Sequence, residues 1–385
     1  MRELWPLEPD ALYLNHGTVG VTPKRVLAVQ QAIRDEIERH PARFLLRELA
    51  DLRMGPMRAP ARMRVAAAQV AEFVGVPGDE LMFVDNATTG VNAVLRSFDF
   101  DAGDEIVVTD HGYGAVNLTA AYVASRTGAV VRTATLPEPR WEADDIADTI
   151  SGAFNEHTRL VVVDHVSAES AAIFPIRAIA SRAHAVGAAV LVDGAHAPGM
   201  IPLDLDAFGV DWYVGNLHKW AMSPRSSAIL WAAPERRASL HPTTISWGLG
   251  KGLDAEFDLV GTRDPSPWLA SPAGIEFIRD LGFEAMCRYN HALVWSATRM
   301  MCDRWNVPLP GDESLFGNMV TIPLPERFGT TPQAGARLKD ALLYEERIES
   351  RPFGWRGRVY LRLAAQVYNE LADFERLAVA LEKHL

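Results

Sequence analysis

Lys219 and Asp193 are the two side chains of this 385-residue chain best placed to do chemistry together. Lys219 lies in Asn216-Leu217-His218-Lys219-Trp220, directly after the apolar run Tyr213-Val214-Gly215, so the pattern predicts a strand feeding a tight polar turn. Asp193 stands 26 positions upstream and ends the run Val190-Leu191-Val192, at the carboxyl end of a second buried strand. A lysine in such a turn and a carboxylate at such a strand end are what pyridoxal phosphate (PLP) requires. The amine forms the Schiff base, and the carboxylate keeps the pyridine nitrogen protonated so that the ring can absorb electrons.

A phosphate site is readable in Val84-Asp85-Asn86-Ala87-Thr88-Thr89-Gly90, which joins a strand to a helix continuing through Val91, Val94 and Leu95. Small and hydroxyl residues at a helix start leave backbone N–H groups open to an anion, and Thr88 and Thr89 add hydroxyl donors. A simple threonine N-cap accounts for the same residues. The phosphate reading gains because Lys219 and Asp193 fall on the same side of the expected sheet. Asp110-His111-Gly112-Tyr113-Gly114 follows another strand end and offers a ring to stack on the pyridine, His111 first and Tyr113 second; the alternative is a glycine-rich turn. Asp193 and His196 are metal-ligating types, yet no further Asp/His cluster completes a shell nearby, so no metal is expected. His218 and Asn216 beside Lys219 read either as structural residues or as phosphate donors.

The elements that must position these residues alternate. Strands are expected at Leu81 to Val84, Glu105 to Thr109, Leu160 to Val163, Ala189 to Val192, Trp212 to Val214 and Ser227 to Trp231. Helices are expected between them, at Thr89 to Arg96, Val116 to Arg126, Ala143 to Phe154 and Ile176 to Ala185. Several strands are apolar on both faces, which suits a mainly parallel sheet covered on both sides, and the βαβα order predicts a doubly wound α/β domain. Ligands in such sheets bind at the carboxyl ends of strands, where Asp85, Asp110, Asp164 and Asp193 stand. A large domain is expected over residues 21–264. Residues 1–20 and 265–385 form an arm and a smaller α+β domain, with Met319 to Pro323 and Val359 to Ala364 as strands. Residues 234–272, rich in Pro, Gly and Trp, read as a structured linker.

Composition is that of a globular chain, 48% hydrophobic and 23% charged. The net charge of −11 argues against a nucleic-acid binder. Only Cys287 and Cys302 are present, which excludes a disulfide framework. No apolar run is long enough to span a membrane, and no secretory signal is expected at the start, so the expectation is a cytoplasmic protein.

This constellation resembles the class V, fold-type-I PLP enzymes, the group of the cysteine desulfurases and isopenicillin N epimerases, and most of all the isopenicillin N epimerase-like branch. The resemblance runs from about residue 12 to residue 370 and is carried by six stretches. They are Tyr13-Leu14-Asn15-His16-Gly17, Thr109 to Ala115, Asp164-His165-Val166-Ser167, Asp193 to Gly199, Asn216 to Trp220 and Leu361 to Asn369. It implies that Lys219 carries the cofactor, Asp193 pairs with the ring nitrogen, His196 lies near the ring hydroxyl and His111 stacks on the ring. Thr88, Thr89, Asn216 and His218 would hold the phosphate, with Thr262 reaching it from a second subunit of a homodimer. Arg362 would bind the substrate α-carboxylate, a role that suits the two parallel donors of a guanidinium, with Asn15, His16 and Tyr113 on the substrate side.

The departures are informative. Cysteine desulfurases of this group carry a reactive cysteine shortly before the carboxylate-binding arginine, and Ser350 to Arg358 holds none. Ser167-Ala168 replaces the usual small polar contact to the ring hydroxyl, and Glu169 is a candidate for facing the substrate. Epimerisation or racemisation of an amino acid is the favoured reaction. It requires a second acid opposite Lys219, with His16, Tyr113 and His111 as candidates. β-Elimination, such as C–S cleavage, is the close alternative, and transamination the third. A non-catalytic PLP-binding protein would retain the pocket without Lys219, Asp193 and Arg362 all in place. A nucleotide-binding protein would need a Walker or Gly-x-Gly-x-x-Gly loop at Thr88, which is lacking. Arg43 and Arg47 read as a solvated basic helix face, or else as partners for a distal acid of the substrate.

Overall fold

The chain is described from a computed structural model over residues 1–137 and 142–385. Its strands are β1 (Leu12–Tyr13), β2 (Leu81–Val84), β3 (Glu105–Thr109), β4 (Val130–Ala134), β5 (Thr158–Asp164), β6 (Ala189–Asp193), β7 (Trp212–Asn216), β8 (Ala228–Ala232), β9 (Met319–Pro323), β10 (Ile348–Glu349), β11 (Arg351–Trp355) and β12 (Arg358–Ala364). Seven of them form one sheet in the order β2-β8-β7-β6-β5-β3-β4, in which only β8 runs against the rest. The doubly wound, mainly parallel α/β sheet expected from the apolar runs is therefore present.

Both faces of this sheet are covered. Val161, Val163, Val190, Val192 and Tyr213 pack into one apolar cluster, while Leu160, Val162, Leu191, Trp212 and Val214 pack into the other. Alternation along each strand then assigns Asp164, Asp193 and Asn216, the last residues of β5, β6 and β7, to the second face. On that face lies the helix Ala87–Ser97, which buries Gly90, Val91, Val94 and Leu95. A strand's last residue and a helix's first turn meet here, and this is the geometry that builds the site.

The smaller sheet, β11-β12-β9, is antiparallel and is backed by the helices Phe283–Trp305 and Pro332–Tyr344, on which the helix Leu371–Lys383 packs. The N-terminal arm is more ordered than a loop: β1 pairs in parallel with β10, and Trp5 is buried against Phe277 and Tyr368. The expected linker 234–272 contains the short helices Leu253–Asp258 and Ser266–Leu269. It is fastened by the buried Arg64–Asp258 ion pair and by the Trp268 indole, which donates to the Val84 carbonyl at 3.0 Å. Pro41 to Arg47 is helical, and Arg43 pairs with Glu48 at 3.2 Å, so its charge is already matched locally.

Candidate active site

The Lys219 turn is gripped by backbone. Leu217, Trp220, Ala221 and Met222 are buried and fix the turn from below. The Leu217 and His218 N–H groups donate to the Ser227 carbonyl at 3.0 and 3.2 Å. Gly20 (φ +67°) lies so close that a Cβ there would meet the His218 carbonyl oxygen at 2.0 Å, and Gly199 presses on Trp220 in the same way. His16 locks the turn from the arm. Its Nε2 lies 3.0 Å from the Lys219 carbonyl and its Nδ1 2.9 Å from the Tyr368 hydroxyl. A carbonyl can only accept, so Nε2 carries the proton and Nδ1 accepts. Both ring nitrogens of His16 are thereby engaged, and burial holds its pKa down to about 4. Gly20→Ala should cost about 3 kcal/mol in a denaturant titration, through the clash and the left-handed backbone, and should loosen the lysine it backs.

The lysine amine is tuned by its surroundings. Nζ lies 3.2 Å from His196 Nε2. Lys219 keeps part of its surface open to the cleft, yet protein encloses it densely. Burial first, and then the Arg362 charge, push its pKa down to about 7. A large share of the amine is therefore neutral and nucleophilic near neutral pH. His196 is held neutral by burial and by the Lys219 charge, and its Nδ1 is buried without a partner among the described residues.

Two carboxyls face this amine. Asp193 accepts from the Ala195 N–H at 2.9 Å, and Asp164 sits directly beside it in the β5–β6 register. Behind them the His165 ring bonds the Tyr213 hydroxyl at 2.8 Å.

The helix start is capped by Asn86, not by a threonine. Its Oδ1 accepts from the Thr89 N–H at 2.9 Å and from the Thr89 hydroxyl at 3.2 Å. Asn216 Oδ1 takes the Ala87 N–H at 2.8 Å, tying the end of β7 to the helix. The Asn216 amide N–H₂ and Thr88 therefore remain at the open end. His218 Nδ1 donates to the Ser227 carbonyl at 2.9 Å, which leaves its Nε2 directed elsewhere.

Arg362, on β12, is 3% exposed. Its Nη1 donates to the Ala168 carbonyl at 2.8 Å, and its Nη2 donates to Thr18 at 2.8 Å and Asn15 at 3.4 Å. Nε is buried without a partner, and no carboxylate pairs with this cation among the described residues. Burial and the adjacent Arg351 both disfavour its charge, a cost that an incoming carboxylate would offset. Arg351 donates to the same Ala168 carbonyl at 2.7 Å and pairs with Glu169 at 2.8 Å, which brings Glu169 within electrostatic reach of Arg362.

The remaining candidates are placed variously. His111 is wholly buried, with Nδ1 3.0 Å from the Ser170 hydroxyl and a pKa pushed down to about 3 by burial and Arg356. Tyr113 caps the helix Gly114–Thr127 and is 47% exposed. Thr262 is exposed on the loop after the helix Leu253–Asp258, beside Arg263, which pairs with Asp85 at 3.0 Å. Sequence reasoning missed Asn86, Thr18, Ser170 and Tyr368 as supporting residues. Only Asn86 had a local signal, an N-cap residue type three positions before Thr89.

A family model, aminotransferase class-V, matches residues 22–314. The chain is 32% identical to isopenicillin N epimerase of Streptomyces clavuligerus, over 98% of this chain and 95% of that protein. It is 31% identical to a probable chloroplastic L-cysteine desulfhydrase of Arabidopsis thaliana, over 97% of this chain and 83% of that one. Among solved structures, the complex of the cystine C–S lyase C-DES with its product cysteine persulfide superposes with a TM-score of 0.80 at 20% identity, covering 97% of each chain. That last likeness speaks for the fold. With the family model spanning most of the chain and the epimerase aligned almost end to end, the chain belongs to the aminotransferase class-V family.

Proposed function

We propose that this protein is a PLP-dependent enzyme that removes and returns the Cα proton of an amino acid, and that its reaction is epimerisation or racemisation. The observation that carries the reading is the Lys219 amine, whose pKa is lowered to about 7 and which lies among Asp193, His196 and Arg362. When bound, PLP supplies an electron sink that acidifies the Cα–H of the amino acid attached to it.

The chain's own residues do the rest. Lys219 would hold the cofactor through its amine, and the same Nζ would accept the Cα proton. Asp193 would pair with the ring nitrogen, the buried Nδ1 of His196 would offer the ring a donor, and His111 would lie against it. Thr88 and the Asn216 amide N–H₂ would receive the phosphate at the helix start, where the dipole favours an anion. Both donors of Thr89 are spent on Asn86. His218, whose Nδ1 donates to Ser227, would join only with its Nε2 protonated by the phosphate charge. Arg362 would bind the α-carboxylate through Nε, which has no partner among the described residues, and the adjacent Nη2 that Asn15 and Thr18 orient. A second proton must arrive from the face opposite Lys219. Both nitrogens of His16 are engaged and His111 stays neutral, so we assign that proton to Tyr113.

A β-eliminating lyase is the second reading, favoured by the similarity to a protein named as an L-cysteine desulfhydrase. A persulfide-forming desulfurase is not proposed. Both thiols lie on the helix Phe283–Trp305, away from β11 and β12 in sequence, and burial raises each to about 12. We further infer a homodimer in which Thr262 reaches the neighbouring phosphate, a large domain of residues 21–264, and a cytoplasmic location. Two free thiols suit a reducing compartment, and no helix of the described residues is long and apolar enough to cross a membrane.

The test is mass spectrometry of the holoenzyme with amino acids and cysteine conjugates in D₂O. Deuterium at Cα with scrambled chirality and no keto acid is the expected result. Tyr113→Phe should keep the exchange but lose the inversion. Keto acid with loss of the β-substituent would replace the epimerase reading by the lyase.

A further inference from the structure

Asp193 has a neighbour that the reading above leaves without a task. Asp164 ends β5 where Asp193 ends β6, and the two are direct partners in the parallel register. Neighbouring strands lie about 4.8 Å apart. Alternation assigns both side chains to the same face, the one carrying Leu191, Val162 and Val214 and the start of the helix Ala87–Ser97. Both residues are almost completely buried, at 4% and 3% exposure. Two carboxylates confined this closely in a dry site cannot both ionise freely.

We propose that Asp164 is a positioning residue for Asp193: the two carboxyls hold one proton between them, and Asp164 carries it. The asymmetry follows from their partners. Burial raises the Asp193 carboxyl as well, but the Ala195 N–H it accepts and the Lys219 charge both oppose that rise. Asp164 is disfavoured as an anion by burial, then by Asp193, then by Glu169 from the following loop, which outweigh a backbone hydrogen bond and the Lys219 charge. Of the cations nearby, Arg351 is paired with Glu169 and offsets part of that charge, and Arg362 acts on the lysine, whose pKa its charge lowers. His165 is held neutral by burial, with a pKa near 4, and the Tyr213 phenol, bonded to that ring, is raised well above its ordinary value. A protonated Asp164 presents an O–H to the Asp193 oxygen that Ala195 does not occupy. Asp193 is thereby oriented, and the pair offers one negative charge, not two, to a ring nitrogen. The proposal rests on the reading in which Asp193 faces that nitrogen.

The test combines infrared spectroscopy with cofactor affinity. At about pH 7.5 ordinary carboxyls are ionised, so a protonated carboxyl band should stand out in both the holoenzyme and the cofactor-free protein. It should vanish in Asp164→Asn. Its titration midpoint should fall in Asp193→Asn, because the charge that raises it is gone; a structural role alone would not produce this coupling. Asp164→Asn, which keeps a donor without a charge, should hold PLP within about threefold of the wild type, whereas Asp164→Ala should weaken it about tenfold. A band that is absent, or that survives in Asp164→Asn, would overturn the proposal. So would an Asp164→Asn variant that weakens PLP as much as Asp164→Ala does. If Asp193→Asn leaves PLP affinity unchanged, the reading of Asp193 itself fails, and the band in the cofactor-free protein still decides the shared proton.

Discussion

Lys219→Ala is expected to abolish turnover, by at least about ten-thousand-fold, and to leave PLP bound without a covalent link. Intact-protein mass spectrometry after borohydride treatment reads the link directly, and the wild type should gain the mass of one reduced cofactor. The effect is large because, on the function proposed above, the residue would do two jobs, capturing the aldehyde and moving the Cα proton. The same lysine carries a pH dependence with a definite sign. Burial and then the Arg362 charge lower its pKa to about 7. Capture of PLP by the cofactor-free protein, which needs the neutral amine, should therefore be nearly flat above that value and fall about tenfold per unit below it. A midpoint near the ordinary lysine value of about 10.4 would show that the amine is not desolvated as the structure has it.

Arg362→Ala comes next in size. Removing a buried guanidinium that pairs with a carboxylate costs about 3 kcal/mol of binding, roughly a hundredfold. The loss should fall on kcat/KM for amino acids and spare PLP retention. Arg362→Lys should recover little of it, because a point charge cannot supply two parallel N–H donors. Asn15 and Thr18 hold Nη2 from the arm, so their alanine variants should show a smaller loss of the same kind. Equal kcat/KM in wild type and Arg362→Ala would remove the α-carboxylate role.

Which parts of this molecule were legible in its sequence follows from how local their causes are. Leu81–Val84, Glu105–Thr109, Met319–Pro323 and Ile176–Ala185 fall on the residues expected, because a continuous apolar run or a 3.6-residue stripe is written in neighbouring positions. β4 was missed. It is an edge strand with a mostly exposed pattern, and its apolar content is too thin to register. β1 and β10 were missed for a different reason: two residues each, they exist only as a pair joining positions 12–13 to 348–349. The site divides in the same way. Lys219 and Asp193 announce themselves by residue type at predicted strand ends. The work of His16 depends on the Lys219 carbonyl and the Tyr368 hydroxyl, and no window of sequence contains all three. Asn86 carried a local cap signal that the two following threonines obscured.

The arm that grips the lysine turn also sets when the site can exist. His16 reaches across 203 positions to the Lys219 carbonyl, and Arg362 reaches across 347 to Asn15. Closing loops of that length is entropically slow, and contacts so far apart in sequence form after local helices and adjacent strands. A refolding chain should therefore recover most of its secondary structure before it can seat the cofactor. The site is among the last parts of the molecule to be born, and a truncation that removes the first twenty residues would delete the clasp while leaving the central sheet intact.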